Sequence, residues 1–136
     1  MTFLRRSMLP DQNPKGVQVL LLDTIGELRQ VYSLASVAII GGSFLPFGGH
    51  NVLEPAALGK AILFGPDMTN FKEMAGLFLE SHAARQTNLA ALPRDVKELL
   101  QDSHLRDRLG EQALFTFRQN QGATQAILQH LVRHLE

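Results

Sequence analysis

This sequence predicts an α/β fold built on a Rossmann-like, doubly wound parallel sheet, and three observations predict it. Short apolar runs of strand length, at 17–22, 37–40 and 61–64, alternate with stretches whose apolar residues recur at helical spacing. The first of these runs is aliphatic without strict alternation, which suits a parallel strand buried on both faces. Each run ends in a glycine or a polar turn former, so the order reads as strand, connection, helix, strand and not as a series of hairpins.

Phe3 and Leu4, ahead of Arg5-Arg6, read as the tail of a strand that begins further upstream. The segment SMLPDQNPKG at 7–16 is rich in turn formers and reads as a mobile loop. Strand 17–22 stops at Asp23-Thr24, and a helix over 25–35 follows with Ile25, Leu28, Val31, Tyr32 and Ala35 on one stripe. Strand 37–40 opens the stretch around which the rest is organised. Its successor, 61–64, is closed by Gly65-Pro66. A loop at 67–70 leads to a helix over 71–81 with Phe71, Met74, Ala75 and Phe78 on one face, then to a short edge strand within 83–87. A helix over 95–100 starts near Pro93, and Ser103 is the expected cap of a longer one reaching about residue 119, weakened by Gly110. Gly122 is expected to break that helix, leaving a last one over 123–135. Its broad apolar stripe comprises Ile127, Leu128, Leu131, Val132 and Leu135. The expected division is thus 1–122 for the sheet-bearing domain and 123–136 for the terminal helix.

With 136 residues there is room for one domain with a real core. Thirteen basic residues balance thirteen acidic ones, and the lack of a basic excess argues against a nucleic-acid partner. Cysteine is absent, which excludes disulfides and thiolate metal sites. No apolar run approaches the roughly 20 residues of a membrane span, and MTFLRRSMLP has no signal-peptide core, so a soluble chain is expected.

Residues 37–66, VAIIGGSFLPFGGHNVLEPAALGKAILFGP, read as strand, glycine loop, short helix at 56–58, and strand. The loop then lies at the carboxyl end of a parallel strand, where open α/β sheets bind ligands. Glycine pairs at 41–42 and 48–49 allow positive φ and close approach of a ligand to the main chain. Pro55 belongs in the first helical turn, where its missing N–H costs nothing. Asn51 and Glu54 have capping-box spacing with Asn51 as the cap. Two readings of Glu54 stand. It is either a structural member of that box, or a carboxylate that points aside from an anion site and accepts hydrogen bonds from a vicinal diol such as a ribose.

His50 is poised either to donate to an anion or sugar hydroxyl or to fix the loop backbone. His82 and His104 are scattered, and His130 and His134 lie one helical turn apart without an evident third ligand, so no metal is expected. Ser43 lacks the glycine two positions on that a hydrolase elbow needs, and reads instead as a phosphate or carboxylate contact through its hydroxyl and backbone N–H. No stretch matches GxGxxG, so no nicotinamide cofactor is expected, nor any other. Arg5-Arg6 and Lys60 read as solvated surface charges.

GGSFLPFGGHNVLEPAALGKAILFGPDMTNF, with DTIGELRQVYSLASVAII before it, resembles the C-terminal half of the Kdo transferases. These are GT-B glycosyltransferases that move 3-deoxy-D-manno-octulosonic acid (Kdo) from CMP-Kdo to lipid A precursors in lipopolysaccharide biosynthesis. The resemblance runs from about residue 4 to 122, is weakest over 82–109, and is specific in the combination GGS, GGHN, LEP and FGP. It implies the donor-binding half of an inverting, metal-independent enzyme, incomplete at its N-terminus. Gly41, Gly42 and Ser43 would border the donor phosphate. Gly49, His50 and Asn51 would line the phosphate and Kdo carboxylate side. Glu54 would take the ribose hydroxyls, and Gly26, Glu27 and Leu28 would lie near the cytosine through backbone groups. The family's base is a glutamate of the N-terminal domain that no residue here matches, so the chain alone is expected to be inactive. The full-length protein would work at the cytoplasmic face of the inner membrane. The last helix would cross to the N-terminal domain; without that domain its stripe would fold onto the open sheet edge or bury itself against a second copy, a homodimer through the exposed edge or this helix. Two other classes remain open: a GT-B enzyme using a UDP-sugar, and a non-catalytic nucleotide-binding or interaction module.

Overall fold

The expected strands form, and every strand pair is parallel. A computed structural model describes residues 1–9 and 14–135, with side chains as far as Gln121, and the chain divides into two units, Met1–Leu34 and Ala35–Glu136. In the first unit, β1 (Phe3–Arg5) pairs with β2 (Val19–Leu21) in the register Phe3 to Val19, and α1 (Leu28–Leu34) follows. A 3-10 turn, Arg6–Met8, occupies the start of the expected loop at 7–16; residues 10–13 of that loop lie outside the described residues.

The second unit carries a three-stranded sheet in the order β3 (Val37–Ile39), β4 (Ala61–Phe64), β5 (Arg85–Gln86). Helix α2 (Leu53–Ala56) joins β3 to β4, and α3 (Lys72–Glu80) joins β4 to β5 after a 3-10 turn at Thr69–Phe71. Helices α4 (Leu92–Gln101), with Pro93 in its first turn, and α5 (Ser103–Leu135) complete the chain. The central strand explains the architecture. All four β4 side chains are buried, with Ile62 and Phe64 in one apolar cluster and Ala61 and Leu63 in another. The first cluster also holds Val52, Ala56, Ala75, Phe78 and Ala113; the second is closed by Leu99, with Leu105 and Leu109 against it. Such two-sided burial is what an aliphatic run without alternation encodes. Each large side chain removed from water contributes about 1.5–3 kcal/mol.

Four expectations are corrected. Val19, Leu20 and Leu21 are 37%, 45% and 48% exposed, not buried on both faces, because the one helix of a 34-residue unit contributes no buried residue. Asp102, not Ser103, caps α5, accepting from the Leu105 N–H at 2.9 Å; Ser103 is already the first helical residue. The short helix between β3 and β4 is Leu53–Ala56, earlier than 56–58, because Pro55 at its third position suits a first turn and not a preceding loop. The helix also continues through Gly122, since an interior glycine costs only about 1 kcal/mol against alanine. The stripe from Ile127 to Leu135, and His130 and His134, belong to side chains outside the described residues.

Candidate functional site: the glycine loop beyond the first strand of the sheet

Strand β3 delivers the chain to the carboxyl edge of the sheet, where Ile40 is still held by its N–H to the Leu63 carbonyl at 2.9 Å. Beyond it the two glycine pairs fold onto each other, the Gly49 N–H donating to the Gly42 carbonyl at 3.0 Å. Gly42, Gly48 and Gly49 all have positive φ, of 69°, 79° and 72°. The last two have a second reason to be glycine. A Cβ on Gly48 would collide with the Asn70 amide, and one on Gly49 with the Met68 sulfur.

The loop brings Gly41, Gly42 and His50 together. The exposed His50 imidazole lies against the first glycine pair, so close that a Cβ on Gly42 would stand 3.4 Å from Nε2 and one on Gly41 3.4 Å from Cδ2. Asn51 follows and accepts the Leu53 N–H at 2.9 Å through Oδ1. This corrects the expected capping box. The residue preceding the helix is Val52, so Asn51 is one position too early and Glu54 sits second in the helix, where its side chain cannot reach back as the third residue's would. Glu54 is exposed and has no hydrogen bond or ion pair among the described residues. Of its two readings, the structural one loses its partner.

Ser43 departs from the expected contact through its hydroxyl. It is fully buried; its Oγ donates to the Ile40 carbonyl at 2.6 Å and accepts the Gly65 N–H at 2.7 Å, while its carbonyl accepts the Asp67 N–H at 2.9 Å. The hydroxyl therefore latches the end of β3 to the end of β4. Its neighbour Gly65 has no room for a Cβ, which would overlap the Ser43 carbonyl.

Sequence reasoning missed the residues that brace the loop. Asp67 Oδ2 accepts the Gly48 N–H at 2.8 Å, and Oδ1 accepts the Thr69 hydroxyl at 2.5 Å and the Thr69 N–H at 3.3 Å. The Thr69 hydroxyl and then the Gly48 N–H hold the Asp67 carboxyl below its ordinary value, against the opposing effect of burial. Asn70 donates its N–H to the Gly48 carbonyl at 3.0 Å and its side-chain amide to the Phe47 carbonyl at 3.1 Å. The available signal was the polar turn DMTN directly after a strand that neighbours β3, because adjacent parallel strands end at the same edge.

Gly26, Glu27 and Leu28 lie in the first unit. Gly26 has φ 89°, and Leu28 opens α1. Glu27 accepts from Arg6 Nη2 at 2.7 Å and from the Thr24 hydroxyl; the Thr24 bond first, then Arg6, lower its pKa against desolvation. With both carboxylate oxygens engaged, backbone groups are what this turn offers a ligand. Arg6, expected to be merely solvated, is half of that ion pair.

A separate groove of about 610 Å³, lined by Ser81, His82, Arg85, Leu105, Arg108 and Gln112 among others, contains none of the expected site residues. His82 has φ 54° where α3 ends, with the Ala83 N–H bonded back to the Phe78 carbonyl, a helix-terminating role. Among the described residues no group of three or more His, Asp or Glu is arranged to hold a metal ion, and no helix is long and apolar enough to cross a membrane.

No protein-family model matches the chain. The 3-deoxy-D-manno-octulosonic acid transferase of Haemophilus influenzae is 37% identical over 138 aligned positions, covering 98% of this chain and 32% of that protein. The transferase of the same name from Bordetella pertussis is 34% identical over 132, covering 96% and 31%. The chain thus spans about a third of the length of these relatives. Among solved structures, the C-terminal CMP-Kdo binding domain of WaaA from Acinetobacter baumannii superposes with a TM-score of 0.77 at 33% identity, over 85% of this chain and 61% of that one.

Proposed function

We propose that the chain, similar over the stretch it spans to the 3-deoxy-D-manno-octulosonic acid transferases, is the part of such an enzyme that holds the CMP-Kdo donor. The observation that carries the proposal is the loop at the carboxyl end of β3. There the His50 imidazole lies over Gly41 and Gly42, and Asn51 and Glu54, the latter without a partner among the described residues, follow at the start of α2.

The assignment of roles follows the chemistry of what each group has left to give. Gly48 and Gly49 have already spent their N–H groups, on the Asp67 carboxylate and the Gly42 carbonyl. The remaining amides of Gly41 and Gly42, the imidazole of His50 and the side-chain NH₂ of Asn51 are the donors for the phosphate and the Kdo carboxylate. Gly41 and Gly42 contribute backbone only, while the buried Ser43 and Gly49 act by fixing the shape of the loop. Donors fixed in this way stabilise charge as it develops on the departing CMP phosphate without reorganising during the reaction. Glu54 takes the ribose hydroxyls. In the whole enzyme a base from a region this chain does not span activates an acceptor hydroxyl of a lipid A precursor. Attack on the anomeric carbon inverts it, without a metal, at the cytoplasmic face of the inner membrane. The terminal helix beyond residue 122 is assigned to contact that other region.

Calorimetric titration with CMP, UDP and AMP tests the reading. CMP binding in preference to the others is expected. A preference for UDP would move the chain to another glycosyltransferase specificity, and binding of none would leave an interaction module.

A further inference from the structure

The loop that carries His50 and Asn51 is held only in part by its own residues, through the Gly49 N–H to the Gly42 carbonyl. Its second glycine pair is gripped from the neighbouring turn. Asp67 accepts the Gly48 N–H at 2.8 Å, the Asn70 N–H donates to the Gly48 carbonyl at 3.0 Å, and the Asn70 side-chain amide donates to the Phe47 carbonyl at 3.1 Å. Asp67 is itself fixed by the Thr69 hydroxyl and N–H, and by its own N–H to the Ser43 carbonyl at 2.9 Å. Both peptide groups flanking Gly48 are therefore clamped, and the two residues after Gly48 are Gly49 and His50.

We infer that Asp67 and Asn70 are positioning residues for the donor's phosphate: by clamping Phe47–Gly49 they set where His50 and Asn51 stand. The inference deepens the donor-binding reading and rests on it. Asp67 is an unexpected neighbour for an anion loop, because a carboxylate near a phosphate should weaken binding. Its geometry resolves the conflict. The carboxylate is satisfied by three donors, and what the loop needs from it is an acceptor for the Gly48 N–H, not a charge. An amide in its place retains that acceptor, whereas a methyl group does not.

The opposing signs make the test specific. Affinities of the full chain for CMP and for cytidine, which lacks the phosphate, give a ratio that reports the loop alone and is insensitive to a general loss of stability. The unsubstituted chain is expected to favour CMP. In Asp67→Ala the clamped conformer becomes a minor one, and a fall in its population to about a tenth lowers the CMP-over-cytidine ratio about tenfold. Asn70→Ala, which removes a single exposed contact and leaves the main-chain bond, should lower it about threefold. Asp67→Asn should keep the ratio within about twofold of the parent's or raise it. An unchanged ratio in Asp67→Ala would overturn the inference. So would an equal gain in both Asp67 variants, which would mean that the carboxylate acts only through its charge. A parent chain that binds CMP no better than cytidine would instead overturn the phosphate reading of the loop, and the positioning role with it.

Discussion

Replacing Ser43 by alanine tests whether the hydroxyl is a latch within the fold. Its oxygen lies wholly inside the protein, donating to the Ile40 carbonyl at 2.6 Å and accepting from the Gly65 N–H at 2.7 Å. Alanine leaves the shape almost unchanged, so no cavity contributes. The Gly65 N–H, in a buried residue, is left without an acceptor, a loss of about 1–3 kcal/mol. The Ile40 carbonyl loses a donor as well, for about 1 kcal/mol more. A total near 2–4 kcal/mol is a large share of the roughly 5–15 kcal/mol that holds a domain together. At about 3–5 °C per kcal/mol for a chain of this size, the midpoint of melting should fall by on the order of 10 °C. Urea titration followed by far-UV circular dichroism gives the free energy directly, provided the slope is unchanged. A loss below about 0.5 kcal/mol would refute the latch.

Glu54→Ala should leave stability within about 0.5 kcal/mol, since the side chain is exposed and without a partner among the described residues. It should weaken CMP binding by roughly 1.5–3 kcal/mol, the value of hydrogen bonds to a charged group; an unchanged titration removes Glu54 from the site. Gly110→Ala should destabilise by about 1–3 kcal/mol despite alanine's better helix propensity, because the new Cβ would strike the Gly59 carbonyl; equal or higher stability in urea would show that the helix shifts to make room. The carboxyl of Asp95, held below its ordinary 3.8 first by the Thr87 hydroxyl and then, against burial, by Arg94, stabilises the folded state above that value. Its contribution is lost as pH falls through the lowered folded value, so denaturation midpoints should drop below about pH 4. Asp95→Asn should flatten that part of the profile, and an unaltered acid limb would deny the carboxylate this role.

Much of this was legible in the sequence because the signals were local. Three aliphatic runs named their strands, and the glycine pairs named the loop. The two-sided burial expected of the run at 17–22 is found instead at AILF. What escaped depends on contacts made across space. Asp67 and Asn70 looked like ordinary turn residues, since nothing within a few positions of them shows that the chain of 47–49 passes overhead. Ser43 reads in the sequence as a phosphate or carboxylate contact, yet its hydroxyl is taken by the Ile40 carbonyl and by the Gly65 N–H twenty-two residues on. The capping box failed by one position, a slip that spacing cannot detect when Asn51 has an equally good donor in Leu53. At 17–22 an aliphatic run was equated with burial, but the first unit has too little chain to cover it.

Helix α5 has a consequence for how the second unit comes apart. Leu105 and Leu109 pack with one apolar cluster, Ala113 and Phe117 with the other, and between them Gly110 presses on the Gly59 carbonyl in the turn before β4. One unbroken element thus shares side chains with both faces of the sheet. Neither cluster can open alone without bending or releasing that helix, which ties them into one cooperative unit of exchange. Amide hydrogens from 105 to 117 should be the slowest to exchange with solvent. Their protection should also fall together with that of α3 on one face and α4 on the other, at a common free energy.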